Sequence, residues 1–181
     1  VTEILAVNSW RNWASANDVL ALLAEASPDS FLKSVQDAAT PATGVFAKVF
    51  AEESDGVMGG TYITGVLWGL ESLAWKTEYL VPVSRILADL AAVDPGGSWS
   101  NRPSNSLTTI LLPWFPQTSA PTEKRHAAVN TIRRRNHDVG WKLVCSLLPE
   151  AHSHSSGTHK PVWQKFITVD YKDGVPPSQY W

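Results

Sequence analysis

Apolar residues recur three and four positions apart along most of the chain, the spacing that gathers them on one side of an α-helix. In "SPDSFLKSVQDAAT", Phe31, Val35 and Ala38 share a side, Ser27 is placed to accept from a first-turn amide, and Pro28 sits where its missing N–H is harmless. "TYITGVLWGLESLAW" aligns Ile63, Val66, Leu70 and Leu73, and "TEYLVPVSRILADLAAV" aligns Tyr79, Val83, Ile86, Leu90 and Val93. Both predict core-facing helices. Pro82 lies in the second, which therefore starts near it or bends there. The same spacing predicts helices at "NDVLALLAEA" capped by Asn17, at "GVFAKVFAEE" with Phe46, Val49 and Phe50, and at "SNSLTTILL" capped by Ser104. Two more follow at "APTEKRHAAVNTIRRR" after Ser119 and at "HDVGWKLVCSLL". Only "WQKFITVDY" alternates with period two, and it reads equally as a short strand or an extended tail. The predicted fold class is all-α.

The joints between these helices repeat faintly. "LLAEASPDSFLKSV", "ESLAWKTEYLVPV" and "IRRRNHDVGWKLVCSLL" each end one helix, cross a polar joint and open the next with an aromatic residue: Phe31, Tyr79 or Trp141. The first two stand 48 residues apart and the last two 62; the first spacing is near the ~40–47 of HEAT-like units. This predicts antiparallel helix pairs stacked as an α-solenoid over residues 1–150, with an irregular C-terminal extension over 151–181 that packs on the domain or leaves it. The excess in the second interval falls on residues 94–118, "DPGGSWSNRPSNSLTTILLPWFPQT", read as an elaborated connection that "DPGG" opens by stopping a helix.

In that connection Trp99 and Trp114 suit plugs between helix pairs, while Asn101, Arg102 and Asn105 suit the bonding of loop carbonyls and amides. The competing reading makes Trp99, Arg102, Trp114 and Gln117 a partner-binding surface, because Trp and Arg dominate interface hot spots. Arg133 and Arg134 join that candidate set. With Arg135 they close a predicted helix, where cations meet the negative end of the dipole, and they read either as a solvated helix end or as contacts to an acidic partner. Fifteen Lys and Arg against seventeen Asp and Glu leave a formal charge of −2. Nucleic-acid binding through Arg125 and the Arg133–Arg135 cluster is therefore a disfavoured alternative.

Catalytic motifs are missing from the sequence. There is no His-Glu-x-x-His, Gly-x-Ser-x-Gly or Cys-x-x-Cys, and in "DGVMGGTYITG" no lysine follows the glycines to reach a phosphate. His152, His154 and His159 lie in the serine-rich "AHSHSSGTHK", which reads as a surface loop; a metal-dependent enzyme or metal-binding protein using these three is the alternative. The expectation is a non-enzymatic module with no catalytic residue, metal or cofactor. Cys145, alone and within "WKLVCSLL", reads as a buried thiol and excludes an internal disulfide. No apolar run is long enough to span a bilayer and no leader is recognisable, so the expected location is cytoplasmic without membrane contact. Val1 in place of an initiator Met, and the closing "GVPPSQYW" with Trp181, suggest a piece of a longer polypeptide.

From "GVLWGLESLAW" through "YLVPVSRILADLAAVDPGGSWSNRPSNSLTTILLPWFPQTSAP" to "VGWKLVCSLLP" and "THKPVW", roughly residues 66 to 163, the chain resembles helical regions of large bacterial STAND-type NTPases and related antiphage defence proteins. The resemblance implies a piece of the helical-repeat array that acts as sensor in such proteins. Its partner would be a protein or another domain of the same polypeptide, and the NTPase and effector would lie elsewhere.

Overall fold

The computed structural model describes residues 1–5, 9–40, 43–53, 61–148, 154–172 and 174–176, and among these every regular element is helical. In chain order they are α1 (Thr2–Leu5), α2 (Trp10–Ser15), α3 (Leu20–Ala26), α4 (Pro28–Ala38), α5 (Val45–Ala51), α6 (Thr64–Ala74), α7 (Leu80–Val93), α8 (Pro103–Leu111), α9 (Thr122–Arg135) and α10 (His137–Ser146). A 3₁₀ turn at Asn17–Val19 leads into α3. The all-α expectation is met, and "WQKFITVDY" forms no strand.

Two helices make the centre. On α6, every residue from Gly65 to Ala74 except Trp68 is buried, so the helix is apolar almost all round, as a fully enclosed helix must be. Next to it α7 buries Leu80, Val83, Ile86, Leu87 and Leu90 and touches α4, α5, α6, α8, α9 and α10. Pro82 falls in the first turn of α7, where the backbone loses no internal bond. Two glycines set how closely α6 is approached. A Cβ at Gly65 would stand 1.9 Å from the Asn17 carbonyl oxygen, and one at Gly69 would stand 2.7 Å from the Phe31 ring.

Several predicted caps are placed differently. The side-chain oxygen of Asn17 accepts from Gly65 N–H at 2.9 Å, so Asn17 satisfies a first-turn amide of α6 and not of its own helix. Ser27 precedes α4 as expected, with Pro28 in the first turn, but its hydroxyl makes no capping bond. Ser104 lies inside α8, which starts at Pro103 after Arg102, and α9 starts at Thr122 after Pro121, beyond Ser119. Asn136 caps α10, accepting from Val139 N–H at 3.1 Å. Cys145 is exposed, not buried: the apolar face of α10 turns Leu143 inward and leaves the thiol on the other side. The three aromatic residues that open helices are not equivalent, since Phe31 is fully buried, Tyr79 half-buried and Trp141 64% exposed.

Candidate functional site

The residues singled out in the sequence divide between two regions. The first is a polar seam where irregular chain meets the central helices. Arg102 is buried and forms ion pairs with Glu53 and, at 3.0 Å, with Asp94. Asn105 donates to the Ser100 carbonyl at 2.8 Å, and Asn101 donates to the Thr64 hydroxyl at 3.1 Å. Gln117 is fully buried; its side-chain oxygen accepts from Thr158 N–H at 3.3 Å. Thr118 donates to the Ala74 carbonyl at 2.6 Å, and Ser119 N–H donates to the Trp75 carbonyl at 3.1 Å, which satisfies the free carbonyl end of α6. Arg102 and Gln117, expected as partner contacts, thus turn their polar groups into the chain: both terminal nitrogens of Arg102 meet carboxylates, while its Nε is buried without an acceptor. Trp114 is half-buried with its ring stacked on Phe115, and Trp99 is half-buried and engaged within the chain.

Two buried carboxylates extend this seam to the chain's last segment. Glu25, in the last turn of α3 and 1% exposed, accepts from the N–H groups of Val162, Trp163 and Gln164 at 2.9, 2.7 and 2.8 Å. A carboxylate at a helix C-terminus is disfavoured by the dipole and by burial, and three amide donors offset both. Glu71 on α6 accepts from the Ser106 hydroxyl and, at 2.8 Å, from His159 N–H. Burial pushes the Glu71 carboxyl above its ordinary value, against the lowering effect of those two bonds. Trp75 donates from its indole N–H to the His159 carbonyl at 3.2 Å, and Tyr171 meets the Trp75 ring edge-on. Residues 154–172, without regular structure, are held by these bonds against α3 and α6.

His159 packs its ring on Trp68 and lies 2.9 Å from the Ser72 hydroxyl through Nδ1. Burial lowers its pKa, with the Glu25 charge opposing. A serine and a histidine in contact invite a hydrolase reading, but the geometry does not provide one. Ser72 is fully buried within α6, and Glu71 bonds the backbone amide of His159, not its ring. His154 is exposed, and His152 lies outside the described residues; among the described residues no cluster of His, Cys, Asp or Glu has the grouping a metal ion needs. The glycines of 54–60 also lie outside the described residues.

The second region is the α9–α10 corner. Six of the fifteen Lys and Arg, but only two of the seventeen Asp and Glu, fall between residues 122 and 146, so this pair is strongly basic on an acidic chain. One residue, Asn136, separates the helices, and they cross so closely that a Cβ at Gly140 would stand 2.6 Å from Arg133 Cα. Arg135 is anchored to α7 by a bidentate pair with Asp89 at 3.1 Å. Arg133 and Arg134 are exposed and make no ion pair among the described residues. Arg133, His137 and the exposed Trp141 line a groove of about 420 Å³ floored by Val129, Gly140 and Val144. Trp141 was legible only as a helix-opening aromatic; its exposure depends on which face of α10 turns inward.

Compared with protein-family models, curated proteins and solved structures, the chain shows no significant match. Among the described residues no helix is long and apolar enough to cross a membrane.

Proposed function

We propose that this chain is a non-catalytic helical interaction module whose α9–α10 corner binds an acidic segment of a protein partner or of another part of a longer polypeptide. The observation that carries the reading is the groove itself: the exposed Trp141 and Arg133, which makes no ion pair among the described residues, set on two helices locked together through Gly140, with the exposed Arg134 next to Arg133 in the chain. Trp and Arg on a rigid support are what interface hot spots are made of, and the unmatched charge selects an acidic partner. Of the candidate contacts, Arg133 and Arg134 suit this role. Arg102, Gln117, Trp99 and Trp114 support the fold around it.

The finer architecture belongs to the same proposal. Sequential pairs α7/α8 and α9/α10 support a HEAT-like stack, and the contacts of α7 with helices from α4 to α10 weigh against strictly one-directional growth. A sensor role in a cytoplasmic bacterial defence protein rests on the sequence resemblance and on the all-helical fold.

The test is an array of peptides of matched length and graded charge, probed with the full chain and with a variant carrying Trp141→Ala, Arg133→Glu and Arg134→Glu. Retention of acidic, apolar-containing peptides by the parent, weakening with salt and lost in the variant, is the expected result. Equal retention of basic peptides, or an unchanged profile in the variant, overturns it. Salt-sensitive binding of duplex DNA or RNA in preference to every peptide would move the assignment to nucleic acid.

A further inference from the structure

A second hollow adjoins the partner groove, between the end of α8 and the α9–α10 pair, with a volume of about 370 Å³. Its walls are apolar, from Leu111, Val129, Val144 and Leu147, and Arg125 and His126 supply polar groups. Arg125 is half-buried there in an unusual state. Its Nη2 donates to the Thr122 hydroxyl at 2.9 Å, its Nε is buried with no acceptor, and it takes part in no ion pair among the described residues. Arg102 also has a buried Nε without an acceptor, so the difference lies in the counter-charge: Arg102 and Arg135 each sit on carboxylates, and Arg125 does not.

Two physical terms act against the Arg125 charge where it stands. Burial lowers its pKa, only partly opposed by Glu123. It also lies in the first turn of α9, where the dipole presents positive potential and a cation is misplaced. An anion bound beside Arg125 would relieve both, as counter-ion to the guanidinium and as partner to the helix N-terminus. The apolar walls define the rest of the ligand. A bare inorganic anion would leave them facing water, and the volume sits at the small end of the ~300–1,000 Å³ typical of ligand pockets, too small for a long lipid or a peptide helix.

We infer that this hollow is a binding site for a small monocarboxylate with an apolar body, its carboxylate on Arg125 and its chain against Leu111, Val129, Val144 and Leu147. The site does not depend on the partner-binding reading. Although the two hollows share Val129, Asn130 and Val144, Arg125 lines only this one.

Titration of the full chain by calorimetry with three probes of one length, octanoate, octan-1-ol and octylamine, tests it. Octanoate is expected to bind saturably at one site, octan-1-ol about ten-fold more weakly for want of the charged hydrogen bonds, and octylamine not at all. Arg125→Gln removes the preference for octanoate over octan-1-ol while alcohol binding persists; Leu147→Trp fills the hollow and abolishes both. Equal binding of acid and alcohol by the parent chain overturns the proposal, as does octanoate affinity that survives Arg125→Gln in a variant with native circular dichroism. Should Arg125→Gln fail to fold, Arg125→Lys, which keeps charge but loses the planar fork, must weaken octanoate selectively for the proposal to stand.

Discussion

The seam around α3 and α6 and the corner of α9 and α10 use charged residues in opposite ways. In the seam Glu25, Glu71 and Arg102 are buried and matched: three amides on one, a hydroxyl and an amide on another, two carboxylates on the third. In the corner, Arg125, Arg133 and Arg134 have no carboxylate partner among the described residues. A buried matched charge mainly specifies one arrangement, because removing its partner is costly even where the pair adds little net stability. An exposed unmatched charge contributes little to folding and is free to recognise something else. The contrast separates what holds this molecule together from what it offers outward.

The largest expected effect comes from breaking the match at Glu25. Glu25→Ala leaves the amides of Val162, Trp163 and Gln164 without their acceptor and is expected to cost about 3–5 kcal/mol in urea unfolding, with faster hydrogen exchange at those three positions. Close behind is Arg102→Met, which strands Glu53 and Asp94; a loss of about 3 kcal/mol is expected by the same measurement. Both effects falling below 1 kcal/mol would mean that the seam is not a matched network. A smaller effect sharpens the corner. Gly140→Ala sets a methyl against the Arg133 backbone and is expected to cost about 1–3 kcal/mol through overpacking.

The pH dependence of stability divides the two titrating groups of the seam. His159 has a folded pKa below 6.5, so the folded chain binds fewer protons than the unfolded one; its contribution is complete above 6.5 and is lost as pH falls through the folded value. Glu71 runs the other way. Its folded pKa lies above 4.5, so stability declines as pH rises from 4.5 through the folded value. Thermal unfolding of His159→Gln should therefore lose the acid-side slope just below pH 6.5 and keep the Glu71 slope above pH 4.5. The smallest stability effect is expected from Arg133→Gln with Arg134→Gln, within about 1 kcal/mol, because neither side chain is buried or paired and only their attraction to the C-terminal end of α9 is lost. A larger loss would show that the basic corner is structural and end the contrast.

Much of the helical frame was legible because it rests on local spacing. The faces of α4, α6 and α7 follow from apolar residues three and four apart, and Phe31, Val66, Leu70, Val83 and Leu90 are buried as that spacing requires. Caps were less legible. The side chain of Asn17 is of the right type to cap, but its partner is an amide 48 positions away on α6. The irregular segments were least legible of all: nothing near Glu25 in the chain announces that residues 162–164 will return to it, and nothing in "SNRPSN" distinguishes an outward Arg102 from one turned in on Glu53 and Asp94.

By itself, then, the order of residues determined that the chain is helical, where most helices run, and which side of each central helix is apolar, since these depend on the 3.6-residue period and on steric preferences of single residues. Tertiary structure alone decided which charges are spent inside and which remain outside. That outcome depends on pairings between positions distant along the chain, and an isolated side chain has the same chemistry whether its counter-ion lies across a helix crossing or has yet to arrive.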